Sequence, residues 1–398
     1  MLVLCSLTYP MQNSAHQIKE KKIFRIGVDA SLLSEPVTGI GRYTCEILSR
    51  LIPMGHEWFL YSHRPIMVGS WKFNNVHLRT GNIPKRLLRM LWVQSVMPLQ
   101  AARDRVDLFW SPAHRLPSLL PAQIARVVTI HDLVWKHAGE TMRPLSRWLD
   151  ATLMPEAVRL ADRVITVSAH TAEDLIKEIP NAQGKVHSIS LGASQLASAT
   201  SRESLASLGL DEPYFLFVGT LEPRKNLVRL LEAFSRLPDS LKQRAVLAIA
   251  GGLGWGSVNA DMIAEKFGIK DRVRILGYVS EEQLATLYTH ALFLSMPSLY
   301  EGFGLPLLEA MSRGTPVLTS NCASMPEVAG DAGILIDPHD VNSISQGLSI
   351  LLGNDMQRNV LACRAMANAE RFSWDRAAEE TLQIFNDAIT IKRSRLGK

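Results

Sequence analysis

The residues with the most chemistry in their types and spacing lie in Pro297-Ser298-Leu299-Tyr300-Glu301-Gly302-Phe303-Gly304-Leu305-Pro306-Leu307-Leu308-Glu309, which compresses two carboxylates, two glycines and a helix start into one unit. The preceding run Ala291-Leu292-Phe293-Leu294-Ser295-Met296 is short, apolar and bounded by proline, as expected of a strand buried in a parallel sheet. From Leu305 to Arg313 the pattern predicts a helix. Pro306 fits its first turn, where a missing N–H costs nothing, and Gly314 with Pro316 closes it. Glu301 then falls in the loop and Glu309 on the helix. The backbone N–H groups of Gly302, Phe303, Gly304 and Leu305 would face a crevice above the strand ends, backed by the positive end of the helix dipole, an environment suited to a diphosphate or a polar sugar. Two carboxylates could also serve a glycosidase as acid and nucleophile, which requires a separation of roughly 5 Å or 6.5–9.5 Å. Taken alone, such a pair reads more simply as a helix cap and a solvated helix residue.

A second unit argues against the simple reading. Tyr214-Phe215-Leu216-Phe217-Val218-Gly219-Thr220-Leu221-Glu222-Pro223-Arg224-Lys225-Asn226 is another buried-strand pattern that runs through a glycine turn into a helix, with two cations at the helix start. Adjacent cations there oppose the helix dipole, and a bound anion would relieve the conflict. Arg224 offers a planar fork to phosphate oxygens and Lys225 a mobile point charge. His131 and Asp132 follow a third apolar run, Ala125 to Ile130, at the strand end that opens on the crevice. A histidine in such a place is commonly a structural hydrogen-bonding group.

Gly-Thr-Leu-Glu-Pro-Arg-Lys-Asn (219–226) paired with Glu-Gly-Phe-Gly-Leu-Pro-Leu-Leu-Glu (301–309) resembles the retaining glycosyltransferases of family 4, which have the GT-B fold. The likeness extends to Arg25-Ile26-Gly27-Val28-Asp29-Ala30, to Thr38-Gly39-Ile40-Gly41-Arg42-Tyr43 and to Arg371-Phe372-Ser373-Trp374, and so spans nearly the whole chain. The resemblance implies that Glu301 contacts the donor sugar, Glu309 the ribose, and Arg224 and Lys225 the diphosphate. It implies that His131 touches the sugar and that a loop carrying Gly39 and Gly41 reaches the donor phosphates or the acceptor. Base contacts, largely through backbone, would fall near Tyr278 and Val279. The reaction implied is transfer of a hexose from a nucleoside diphosphate sugar with retained anomeric configuration. The wording of the chain is most similar to bacterial mannosyltransferases of surface-polysaccharide assembly. GDP-mannose is therefore the expected donor, a UDP-hexose the alternative, and a lipid-linked saccharide the expected acceptor. No Asp-x-Asp pair occurs in the sequence, so no metal or other cofactor is expected and the fixed cations would stabilise the leaving group.

Composition bounds the remaining classes. The chain has 398 residues, 47% of them hydrophobic, enough for two or three domains with sizeable cores. A net charge of +5 permits anionic partners without selecting one, and no basic run interleaved with aromatics points to nucleic acid. Cys5, Cys45, Cys322 and Cys363 are scattered and give neither a zinc site nor a disulfide framework. No apolar run approaches a bilayer span, and the start of the chain lacks a signal-peptide pattern, so a cytoplasmic location is expected. Ile83 to Arg105 mixes Lys85, Arg86, Arg89, Arg103 and Arg105 with Leu87, Leu88, Met90, Leu91, Trp92 and Val96. That mixture suits either a helix lying on an anionic membrane or a packed helix with a wet basic side.

The elements that must position these residues form an α/β chain of two doubly wound, Rossmann-like domains facing each other across a cleft. Residues 1–22 read as a loose extension. The first domain is expected over 23–192, with strands at Ile23 to Asp29, Val106 to Trp110, Ala125 to Ile130 and Arg163 to Val167. The second is expected over 193–373, with strands at Tyr214 to Val218, Ala245 to Ala250, Val273 to Leu276, Leu292 to Met296, Pro316 to Thr319 and Gly333 to Ile336. By resemblance, a last helix in 374–398 returns to the first domain. Gly251-Gly252-Leu253-Gly254-Trp255-Gly256 after a strand suggests a rival, an NAD-dependent dehydrogenase. The acidic residue that should end the next strand is missing there, since Val273 to Leu276 runs into Gly277. An epimerase or hydrolase on the same fold is a further alternative, and intact Glu301, Glu309, Arg224 and Lys225 argue against an inactive binding protein.

Overall fold

The computed structural model describes residues 22–34, 39–67, 73–83, 86–194, 196–256 and 259–397. The expected extension up to residue 21, Thr38, Lys85 and the side chains of Arg86 and Leu87 lie outside the described residues.

Among the described residues, thirteen strands divide into two wholly parallel sheets. The first holds β1 (Arg25–Asp29), β2 (Glu57–Ser62), β3 (Val76–Thr80), β4 (Leu108–Ser111), β5 (Ala125–Ile130), β6 (Arg163–Thr166) and β7 (Val186–Ser188), in the order β3-β2-β1-β4-β5-β6-β7. The second holds β8 (Tyr214–Val218), β9 (Val246–Ala250), β10 (Val273–Gly277), β11 (Leu294–Met296), β12 (Val317–Ser320) and β13 (Gly333–Ile336), in the order β10-β9-β8-β11-β12-β13. Central strands such as β8 and β9 are almost continuously apolar because helices cover both of their faces.

In each sheet the strand order reverses once, between β1 and β4 and between β8 and β11. Neighbouring connections leave in opposite directions at such a point and open a crevice above the strand ends, where α/β folds bind ligands. The units Tyr214–Asn226 and Leu294–Glu309 flank the second switch point, with Leu294 in register with Leu216. Their spacing along the chain is thus converted into adjacency.

The last helix, Trp374–Arg395, packs on the first sheet. Phe385 meets Trp110 at a ring-centroid distance of 5.4 Å, Arg50 pairs with Asp375 at 2.6 Å, and Arg393 pairs with Asp107 at 2.8 Å.

Two expectations need correction. Gly39 and Gly41 are not in a loop: the helix Gly39–Leu51 starts at Gly39, and Gly41 is buried within its first turn. Ile40, Tyr43, Ile47, Leu48 and Leu51 carry a helical period that extends to the very start of the segment, and burying that stripe overrides the glycines' loop preference. Arg224 and Lys225 stand one turn before the helix Leu227–Ser235, in the short 3-10 turn Pro223–Lys225. Asn226, with φ +62°, redirects the chain between turn and helix, and its Nδ2 donates to the carbonyls of Pro297 at 2.9 Å and Pro338 at 2.7 Å.

Candidate active site

A cleft of about 600 Å³ lies between the domains. Its walls include Gly39, His131, Gly219, Arg224, Lys225, Tyr278, Val279, Glu309 and the run from Glu301 to Leu305. Among the site residues expected from sequence, only Gly41 is missing from this lining, being buried within its helix.

At the floor, Glu301 is 7% exposed and is gripped by both cations of the upstream unit. Arg224 Nη1 donates to Glu301 Oε2 at 2.5 Å, and Lys225 Nζ donates to Oε1 at 2.6 Å. Arg224 also donates to the Tyr300 carbonyl at 2.8 Å and to Glu222 at 3.0 Å, while the Leu299 N–H donates back to the Arg224 carbonyl at 2.9 Å. The two loops are therefore laced by side chains and backbone together. Burial alone would raise the Glu301 pKa, but the attraction of Arg224 and Lys225 outweighs it and brings the pKa down to about 2. Such a carboxylate accepts hydrogen bonds and has no proton to give at neutral pH, which removes the glycosidase acid role for Glu301.

Glu309 is buried under different terms. Its Oε1 accepts from Arg42 Nη1 at 2.8 Å and its Oε2 from the Tyr288 hydroxyl at 3.0 Å. Here burial prevails over Arg42 and Tyr288, and the pKa is raised.

His131 contributes from the end of β5 in the first domain. Its Nε2 lies 2.7 Å from the Pro112 carbonyl, which fixes the tautomer with the proton on Nε2, and its ring meets Tyr43 edge-on at 4.8 Å. Burial, with His114 nearby, lowers the pKa to about 4, so the ring is neutral and its Nδ1 is an acceptor.

Close approach of the two domains dictates one glycine. A Cβ at position 302 would overlap the His131 carbonyl, so only glycine lets this loop rest against β5. Thr171, in the helix Ala169–Glu178, donates to the Gly302 carbonyl at 3.2 Å and adds to the same contact. The rival glycine run also finds a structural reason: a Cβ on Gly251 would collide with the Gly219 carbonyl, so that glycine serves the packing of two neighbouring strand ends.

Several participants were not read as site residues from sequence. Arg42 and Tyr288 donate to Glu309, Glu281 accepts the second arm of Arg42, and Asp174 accepts from the Tyr300 hydroxyl at 2.7 Å beside His170 and His137. Only Arg42 carried a signal, lying within the Gly-Ile-Gly-Arg-Tyr segment.

Two doubly wound domains with this cleft define a GT-B glycosyltransferase, and similarity to known proteins agrees. Residues 201–367 match the family description "Glycosyl transferases group 1", and residues 37–194 match "Glycosyltransferase Family 4". The chain is 31% identical over 374 residues to O-antigen chain mannosyltransferase B of Escherichia coli, covering 88% of this chain and 96% of that one. It belongs to glycosyltransferase family 4. Among solved structures, sucrose-phosphate synthase from Thermosynechococcus elongatus superposes with a TM-score of 0.75 at 20% identity, covering 92% of this chain and all of that one. HepE of Anabaena, in complex with UDP and glucose, superposes with a TM-score of 0.69 at 19% identity, again over 92% of this chain and all of that one.

Proposed function

We propose that the protein transfers mannose from GDP-mannose to a hydroxyl of a lipid-linked saccharide during surface-polysaccharide assembly, with retention and without a metal. The observation that carries this reading is the buried cluster of Glu301, Arg224 and Lys225 at the switch point. Without donor, Glu301 is shared by both cations, and Glu222 pairs with Arg224 as well. An entering diphosphate would take over the guanidinium fork and the ammonium, which releases the Glu301 oxygens to accept hydrogen bonds from the sugar. Stabilisation of charge on the departing phosphate then comes from groups already fixed in place. The Glu309 carboxylate would accept from the ribose hydroxyls, and neutral His131 would offer Nδ1 to the sugar from the opposite wall. Closure of the domains would exclude water from the oxocarbenium-like state.

The choice of mannose and of a saccharide acceptor is supported by the mannosyltransferase relative. A UDP-hexose donor is the second reading, favoured by the UDP-bound structural neighbour. A thermal-shift panel of GDP-mannose, GDP, UDP-glucose and UDP, followed by transfer assays with and without EDTA, tests the reading. Stabilisation by the guanosine compounds and activity that survives EDTA are expected. Stabilisation by uridine compounds alone moves the donor to the second reading, and activity lost to EDTA and restored by magnesium or manganese removes the metal-independent mechanism.

Among the described residues no helix is long and apolar enough to cross a membrane. The helices Arg86–Leu91 and Met97–Arg103, joined by the wider turn Trp92–Val96, expose Leu88, Leu91 and Leu99, and Arg103 and Arg105 are exposed at the end of the same stretch. We propose that this face rests on an anionic membrane where a lipid-linked acceptor would be found. Failure to float with phosphatidylglycerol vesicles at low salt would overturn it.

A further inference from the structure

Arg42 belongs to the first domain, yet its side chain is spent on the second. From the Gly39–Leu51 helix its guanidinium forks, Nη1 to Glu309 at 2.8 Å and Nη2 to Glu281 at 3.0 Å. Glu281 begins the helix Glu281–His290 and Glu309 lies on the helix Leu305–Met311, so one arginine ties two helices of the second domain to the first. The two arms are unequal. The Glu309 side chain is 5% exposed and the Glu281 side chain 65%, so water screens the second arm far more than the first.

The environment of Glu309 explains what the first arm does. Besides Arg42, the groups that face it are the Tyr288 hydroxyl from the Glu281–His290 helix and the Ser194 hydroxyl from the segment joining the domains. Glu281, on that same helix, shares the guanidinium with it. Arg42 is the cation that opposes the burial of this carboxylate. The Tyr288 hydroxyl donates a single hydrogen bond, and neither hydroxyl carries charge. A buried carboxylate whose cation is taken away regains stability by taking up a proton. Once protonated, it is no longer a pure acceptor for a pair of ribose hydroxyls.

The geometry points to Arg42 as a positioning residue of the donor site: across the cleft it aims the Glu309 carboxylate and opposes its protonation, so the nucleoside subsite is complete only when both domains meet. The inference rests on the reading of Glu309 as the ribose-binding carboxylate. It also links events that would otherwise be separate, because a nucleotide that needs ionised Glu309 favours the closed arrangement by thermodynamic reciprocity.

The test is isothermal titration of GDP, with UDP in parallel, into the full-length protein between pH 5.5 and 9. Wild type, Arg42→Gln, Arg42→Lys and Glu309→Gln are compared at each pH. Arg42→Gln is expected to lose about tenfold in affinity at neutral pH relative to wild type and to recover as pH rises, because Glu309 then ionises without help. Arg42→Lys, which keeps the charge, should restore most of the affinity at pH 7. Glu309→Gln should bind weakly with no such pH dependence. Wild-type affinity in Glu309→Gln, or wild type binding neither nucleotide, would sink the ribose reading and this inference with it. Weak binding by Glu309→Gln beside unchanged, tighter or pH-independently weakened binding by Arg42→Gln would overturn the role of Arg42 alone. Arg42→Lys reports the charge dependence even if the glutamine variant folds poorly.

Discussion

Glu301 and Glu309 stand eight positions apart in one loop-and-helix unit, equally buried, yet their protons are held in opposite senses. Glu301 meets two cations from its own domain and is driven down to about 2. Glu309 meets one cation from the other domain, together with a neutral hydroxyl, and is raised. Neither the residue type nor the local motif sets the difference. It comes from how many charges the rest of the fold brings, and from whether those charges can leave when the domains separate.

The comparison can be broken most forcefully at Glu301. Glu301→Gln should lower kcat by about 10³-fold, since a misplaced sugar forfeits much of the orientation advantage. Its unliganded stability should fall by about 3–5 kcal/mol, because Lys225 loses its carboxylate and Arg224 keeps only Glu222. GDP should nevertheless bind about tenfold tighter to this variant, since the diphosphate no longer competes with a carboxylate. Calorimetric GDP affinity equal to or weaker than wild type would contradict the exchange of anions. Next in size, Arg224→Ala and Lys225→Ala should each lower kcat/KM by about 10²-fold in a transfer assay, and the double variant should fall short of the product because both act on one group. Wild-type kinetics in all of them would refute the site.

The smallest effect sharpens the contrast from the first domain's side. The His131 pKa is lowered from 6.5 to about 4 in the folded protein, so between these values the unfolded chain binds a proton that the folded one does not. Stability should therefore decline as pH falls through this window, by at most about 1.4 kcal/mol per unit from this group. Urea unfolding at pH 7, 6, 5 and 4 should show the decline, and His131→Gln should be less steep.

Much of the second domain was legible because its strands are buried on both faces and read as short apolar runs. β8 and β13 fall where the pattern put them, and β9 to β12 differ only at their ends. In the first domain β3 and β7 gave no comparable signal. They are edge strands, part-exposed, and β7 has three residues. β2 carries the apolar run Trp58-Phe59-Leu60-Tyr61 plainly enough, but no chemical motif draws attention to it. The floor of the cleft was legible in the same way, since Arg224, Lys225 and Glu301 sit in recognisable units at strand ends. The Arg42 contact was not, because its partners lie 239 and 267 positions away and nothing local to any of the three announces them. The helix at Gly39 was masked by the glycines themselves, whose intrinsic preference lost to the buried stripe behind them.

The bare backbone at Gly302 turns out to be a stop as well as a fit. Because one methyl group there would strike the His131 carbonyl, Gly302→Ala amounts to a doorstop between the lobes. A protein so wedged would also hold Arg42 back from Glu309, so capture of the donor would weaken together with its consumption.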